Sequence, residues 1–291
     1  MPIVAPEPAA LRAAIAHRND EALRCGALLP IDTTRTLIED GGVRFVVREV
    51  SSLARKDAAA QTPRAADPFL PYDPDLFVAD LSGTHVALLN KYNVIAHHLL
   101  IVTRRFEPQD ALIDRADFAA LRDAMRAFDG IGFYNAGPEA GASQTHKHLQ
   151  VVPLPLDENT PPVPVEALFD QVRSPDGIGT VPGLPFRHAF ARFDLMDEGA
   201  AQRATDCYRA LLDAAGIGTL DVQGVAHQAV PYNLLVTRRW MLAVPRAAER
   251  VEGISVNALG FAGSLFVRDA AQRQTLAQLG PMAALARVAL P

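Results

Sequence analysis

The chain has 291 residues, 49% of them hydrophobic and 21% charged, an ordinary globular composition with length for one large domain or two small ones. A net charge of −5 argues against a broad nucleic-acid-binding face, so an anionic ligand depends on local positive charge. No apolar run approaches the roughly 20 residues that span a bilayer, the start lacks a basic-then-apolar signal, and Cys25 and Cys207 lie far apart and outside any metal spacing; a reduced, cytoplasmic chain is the expectation.

Residues 7–28 read as a helix, with Pro6 and Pro8 suited to its start and Leu11, Ala14, Ile15, Ala22 and Leu23 as an apolar stripe. Residues 43–50 are β-branched and strand-like, and 57–74 form a loop rich in Ala, Pro and Asp. Residues 76–79, 85–90 and 98–103 read as strands of an antiparallel sheet, with Ser82-Gly83 as a turn. Residues 116–128 are an amphipathic helix ended by Asp129-Gly130. Strands at 133–134 and 145–152 follow. From 153 to 185, eight of 33 residues are proline, which predicts a stiff connector crossing the surface. The chain therefore divides into 1–152, 153–186 and 187–291, expected to form one compact unit. Beyond the connector come a strand at 187–195, a helix at 198–215, a hairpin of 232–237 and 240–244, and a terminal helix over 269–290 interrupted at Gly280-Pro281.

The stretch 135–152 reads N-A-G-P-E-A-G-A-S-Q-T-H-K-H-L-Q-V-V. At a side-chain period of two, His146, His148 and Gln150 share one strand face while Lys147, Leu149 and Val151 share the other. Gly137 and Gly141 free the preceding loop to point amide hydrogens into a hollow, with Ser143, Gln144 and Thr145 adding polar side chains. An imidazole beside such a hollow is a candidate nucleophile toward phosphorus. A metal pair is the competing reading of His-x-His, but no third ligand follows closely and no Glu follows as in a double-strand barrel dioxygenase. The chain carries 25 arginines and three lysines, Lys56, Lys91 and Lys147. A compact ammonium kept at Lys56 and Lys91 suits phosphate, a reading that stands level with chance placement; Lys147, on the opposite face from the histidines, reads as structural.

The segment G-P-E-A-G-A-S-Q-T-H-K-H-L-Q resembles the active-site strand of the histidine-triad superfamily, and within it the ATP adenylyltransferases, also called diadenosine tetraphosphate phosphorylases. D-P-F-L-P-Y-D-P (67–74), L-N-K-Y-N-V (89–94), H-L-L-I-V-T (98–103), Y-N-L-L-V-T-R-R-W (232–240) with V-P-R (244–246), and N-A-L-G-F-A-G-S (257–264) extend the resemblance in order. It implies an α+β fold: a histidine-triad-like antiparallel sheet with flanking helices, two triad-like halves and a single catalytic strand. The implied reaction is reversible phosphorolysis of diadenosine tetraphosphate to ATP and ADP through an adenylyl-histidine. His148 would be the nucleophile, its other ring nitrogen donating to a backbone carbonyl; His146 would orient the strand, and Gln150 would donate to a non-bridging oxygen. Lys56, Asn93, Asn135, Gly141, Ser143, Gln144, Thr145 and Arg268 would hold substrate, which is expected to bring a divalent cation, Mg²⁺ foremost, with no organic cofactor and no protein cage for the metal. The partners implied are the nucleotides and phosphate, without nucleic acid or membrane, bound by a monomer. A hexose-1-phosphate uridylyltransferase, a dinucleoside polyphosphate hydrolase and a non-enzymatic nucleotide sensor remain alternatives; the first carries Pro where Lys147 stands, the second His where Gln150 stands.

Overall fold

A computed structural model describes residues 3–50, 67–172 and 177–291; Lys56 lies outside the described residues. In chain order the elements are α1 (Pro8–Cys25), β1 (Thr33–Asp40), β2 (Val43–Val50), β3 (Phe77–Asp80), β4 (His85–Leu89), β5 (Leu99–Thr103), α2 (Arg115–Ala127), β6 (Gly130–Ala136), β7 (His148–Pro153), β8 (Ile178–Gly179), β9 (Ala189–Arg192), α3 (Ala200–Ala214), β10 (Thr219–Val222), β11 (Val225–Gln228), β12 (Tyr232–Val236), β13 (Trp240–Pro245), β14 (Arg250–Val251), β15 (Ile254–Ser255), α4 (Ala258–Phe261), β16 (Ser264–Val267), α5 (Ala270–Leu279) and α6 (Pro281–Val288). No helix among the described residues is long and apolar enough to cross a membrane.

One nine-stranded sheet, in the order β3-β4-β5-β7-β6-β12-β13-β9-β8, organises the molecule, and every pairing in it is antiparallel. The two parts of the chain join inside it, where β6 pairs with β12 and Asn135 stands opposite Asn233. Strands β6, β12 and β13 are buried along their whole length because both faces of the sheet are covered there. Alternate residues such as Ala87, Leu99, Ile101, Leu149 and Val151 join a core beneath α1, α2 and α3. The other face is covered over β6, β12, β13 and β9 by a second core that includes β2, β16, α4, α5 and α6. Over β4 and β5 that second layer is missing, and a small cluster of Phe69, Val86, Leu88, Leu100 and Val102 forms the floor of an open cleft.

Local chemistry accounts for the boundaries. Asp114 accepts from the amides of Ala116 and Asp117 while Asp117 returns a bond to the Asp114 amide, a capping box that starts α2. Pro8 stands in the first turn of α1, and Gly26 ends it in the left-handed conformation.

Several expectations are corrected. The strand that carries His148 and Gln150 starts at His148, not at 145, since Gln109 occupies the ladder position beside it and His146 keeps only a single bridge, to Pro108. The proline-rich segment is not a surface connector: Val163, Val165, Phe169, Val181 and Leu184 are buried in the second core, and residues Pro164–Gln171 wind into a 3-10 helix. Proline removes amide donors but not apolar surface, and this face of the sheet needed covering. Strands β1, β16 and the β10–β11 hairpin went unread. β16 is four residues long, and its partner β2 lies some two hundred positions away in parallel.

Candidate active site

His148 opens β7 on the face that carries Gln150, with Val102 and Leu100 opposite them on β5. Its backbone amide donates to Gln109 Oε1 at 2.8 Å, and Gln109 Nε2 donates to the carbonyls of Asn135 at 2.9 Å and His148 at 3.3 Å. A side-chain amide thus replaces the β6–β7 ladder at His148. The imidazole is buried and its Nδ1 lies 2.8 Å from the His146 carbonyl, which can only accept. The proton therefore sits on Nδ1 and Nε2 keeps its lone pair. Burial pushes the ring down to about 4, with the charge of nearby His146 acting the same way and the backbone hydrogen bond opposing it. Near neutral pH this side chain is an uncharged nitrogen base.

His146 plays a different part. Its Nδ1 lies 2.9 Å from Asp67 Oδ2 and its Nε2 2.9 Å from the Thr103 carbonyl, so it braces the strand against β5 and the loop that begins at Asp67. Phe69, two residues along that loop, lays its ring against both histidines, at 5.6 Å from His146 and 5.3 Å from His148. Lys147 points the other way. It is buried, 2.6 Å from Asp117 Oδ2, which in turn shares its other oxygen with His85 at 2.9 Å. The alternation read from the sequence holds across this short stretch even though only part of it is regular strand.

Gln150 stands between two cavities. The larger, about 820 Å³, is lined by the 67–73 loop, Lys91, Ser143, Gln144, His148 and Gln150. The smaller, about 440 Å³, is lined on the far side by Arg250, Ser255, Asn257, Arg268 and Gln272. Asn90, Tyr92 and Gln150 belong to both, so the two cavities adjoin at these three residues. Lys91 supplies positive charge to one cavity and the two arginines to the other.

The expected residues are not all brought here. His148, Gln150, Ser143 and Gln144 line the larger cavity and Arg268 the smaller, while Thr145 and Gly141 line neither. Gly141, at φ 89°, is needed for a close approach: a Cβ there would come within 3.1 Å of Asn257. Asn135 and Asn93 are buried and also line neither cavity. Asn135 Oδ1 accepts from Asn233 Nδ2 at 2.9 Å and from the Ala258 amide at 3.0 Å, tying β6 to β12 and to α4, and Asn93 Nδ2 donates to the Ile95 carbonyl. An internal amide and a substrate amide read identically in a sequence. Asp67, Asn90, His98 and Gln109 were missed. The first three fall inside the motif segments quoted above, which was a usable signal; Gln109 gave none.

Two family models match most of the chain: the Ap4A phosphorylase N-terminal domain over residues 3–171 and the ATP adenylyltransferase C-terminal domain over residues 182–291. Diadenosine 5',5'''-P1,P4-tetraphosphate phosphorylase 2 of Saccharomyces cerevisiae is 28% identical over 81% of this chain and 79% of its own length. Protein APA1 of the same yeast is 26% identical over 90% of this chain and 88% of its own. The crystal structure of yeast Ap4A phosphorylase Apa2 superposes with a TM-score of 0.80 at 22% identity, covering 97% of each chain, and so shares the fold. With His148 and Gln150 set on one strand face beside these cavities, and with one domain model matching more than half of the chain and the second most of the rest, the chain belongs to the Ap4A phosphorylase (ATP adenylyltransferase) family.

Proposed function

We propose that this chain catalyses the phosphorolysis of diadenosine tetraphosphate to ATP and ADP, reversibly, through an adenylyl group carried on His148. The observation that carries this reading is the uncharged Nε2 of His148, held in one tautomer by the His146 carbonyl beside a cavity that shares Gln150 with a second one. A substrate with a nucleoside at each end of a polyphosphate suits two adjoining chambers with polar side chains where they meet.

Nε2 attacks the α-phosphorus; the N–P bond forms as the P–O bond to the departing ATP breaks. A phosphate oxygen then attacks the same phosphorus, the N–P bond breaks, and ADP leaves with His148 restored. ATP is a weakly basic leaving group, so the site requires little proton transfer; what it needs is a positioned nucleophile and neutralised oxygens. Gln150 presents its amide hydrogens to the transferred phosphoryl group, Lys91 faces the adenylyl side, and Arg250 and Arg268 face the leaving polyphosphate. Gln150 has no proton to exchange near neutral pH, so water finds no base beside the intermediate and a charged acceptor is favoured. A divalent cation is proposed to arrive with the phosphates: among the described residues no group of three His, Cys, Asp or Glu side chains converges as a metal cage, so no step is assigned to it.

The test is product separation after incubation with diadenosine tetraphosphate, with and without phosphate. Phosphate should yield ATP and ADP in equal amounts with AMP minor; mostly AMP would make the protein a hydrolase. Protein mixed with substrate in phosphate-free buffer should gain the mass of one adenylyl group. His148→Ala should abolish that adduct and lose activity by several orders of magnitude. An adduct on His148→Ala would place the intermediate elsewhere.

A further inference from the structure

Gln150 serves an anion only if its amide nitrogen, rather than its carbonyl oxygen, faces the cavities. The two ends of an amide have nearly the same shape, so some other group must choose between them. His98 does this. It lies on the same sheet face as Gln150, one step diagonally across the β5–β7 ladder, where Leu100 is the direct partner. Its Nε2 is 2.9 Å from Gln150 Oε1, and its Nδ1 is 3.1 Å from Asn90 Nδ2. Asn90 is placed by backbone pairing at the end of the β4–β5 ladder, its amide donating to the His98 carbonyl at 2.9 Å.

The orientation of the Asn90 side chain, with Nδ2 toward His98, sets the polarity of this chain of three. A neutral imidazole has one N–H. Because the Asn90 amide nitrogen donates into Nδ1, the ring proton must be on Nε2, which donates to Gln150 Oε1. With its oxygen engaged, Gln150 turns both amide hydrogens away from His98. The opposite polarity, with every donor and acceptor exchanged, would aim the Gln150 oxygen at the phosphoryl oxygens, acceptor against acceptor. His98 is buried, packs its ring 5.7 Å from that of Phe133, and is pushed down to about 4 by that burial, with the Gln150 bond opposing and His148 assisting. It therefore stays uncharged and keeps the single proton on which the choice depends.

We propose that His98 is a positioning residue for phosphoryl transfer: together with Asn90 it fixes the Gln150 side chain so that the amide nitrogen, not the oxygen, faces the transferred group. This rests on the phosphorolysis reading for its kinetic consequence, while the tautomer it requires does not.

The experiment is a double-mutant cycle on phosphorolysis of diadenosine tetraphosphate. His98→Phe keeps an aromatic ring of similar size but removes the donor. In the wild-type background it should lower kcat about 30-fold, the scale of one hydrogen bond to a charged group, with KM changed less than about threefold. In the Gln150→Ala background the same substitution should cost less than about twofold, because the amide it positions is gone. Losses that multiply would show that His98 acts independently of Gln150 and overturn the proposal. Asn90→Ala, which spares the ring, should give a smaller loss of kcat that also vanishes in Gln150→Ala; this keeps the cycle open if His98→Phe does not fold. If the protein proves inactive toward diadenosine tetraphosphate, the functional reading fails first. Nitrogen-15 imidazole spectra of the wild type then decide alone: a proton on His98 Nε2 supports the assignment, and one on Nδ1 sinks it.

Discussion

Gln109 shows how much of this site depends on residues that do no chemistry. It satisfies the His148 amide and reaches the carbonyls of both Asn135 and His148, so it takes the place of a ladder bond while leaving β7 parted from β6 at His148. Gln109→Leu would leave those buried groups without partners, at a cost of about 1–3 kcal/mol in stability. We predict a lower urea midpoint together with a kcat loss larger than the change in KM, since the backbone that aims His148 would be freed. Unchanged kcat with lowered stability would make Gln109 a packing residue only. Nothing in the sequence marks this glutamine, because its role is defined by two strands that meet only in the fold. His148 and Gln150 were legible because their spacing alone puts them on one face. Asn135 and Asn93 show the reverse failure: both sit in segments that resemble a nucleotide site, yet their side chains serve the interior.

At the scale of elements, the segment 146–148 is pinned in two opposite directions. His146 reaches to Asp67 and Thr103 on one side, and Lys147 reaches to Asp117 in the first turn of α2 on the other. The second contact is a buried ion pair, and Asp117 also holds His85 and the Asp114 amide. Lys147→Met keeps the stem volume but strands a buried carboxylate, which costs about 3–5 kcal/mol. Thermal unfolding should show that loss; a change below about 1 kcal/mol would mean that the carboxylate finds water or a proton instead. Alternation alone reveals the face of Lys147 but not its partner 30 positions earlier. The same limit explains β16, whose four residues gain meaning only beside β2, and the segment after β7, whose prolines hid the buried valines and phenylalanines between them. Long periodic elements such as α2 needed no such help.

For the whole molecule, the arrangement of cores explains both where the site lies and how it should respond to acid. Two apolar layers cover the sheet nearly everywhere, and the cleft occupies the place over β4 and β5 that the second layer leaves open. His148 and His98 stand at its edge, buried enough that each is held down to about 4, while His188 in the second part of the chain is lowered by burial as well. In the unfolded chain each would titrate near 6.5. Above that value neither state binds these protons and the histidines leave stability unaffected. Between about 6.5 and 4 the unfolded chain takes up protons that the native chain refuses, so stability falls as pH falls, by up to roughly 3 kcal/mol for each of the two strongly lowered rings. Native His148 itself stays uncharged through that window. We therefore predict that the calorimetric midpoint drops steadily below pH 6.5, and that kcat/KM of protein still folded holds nearly level until close to pH 4. His98→Phe, lacking one of the titrating rings, should show a shallower drop. Activity lost with an apparent pKa near 6.5, while circular dichroism shows the fold intact, would mean that burial does not keep His148 neutral, and the attack by an uncharged imidazole near neutral pH would have to be abandoned.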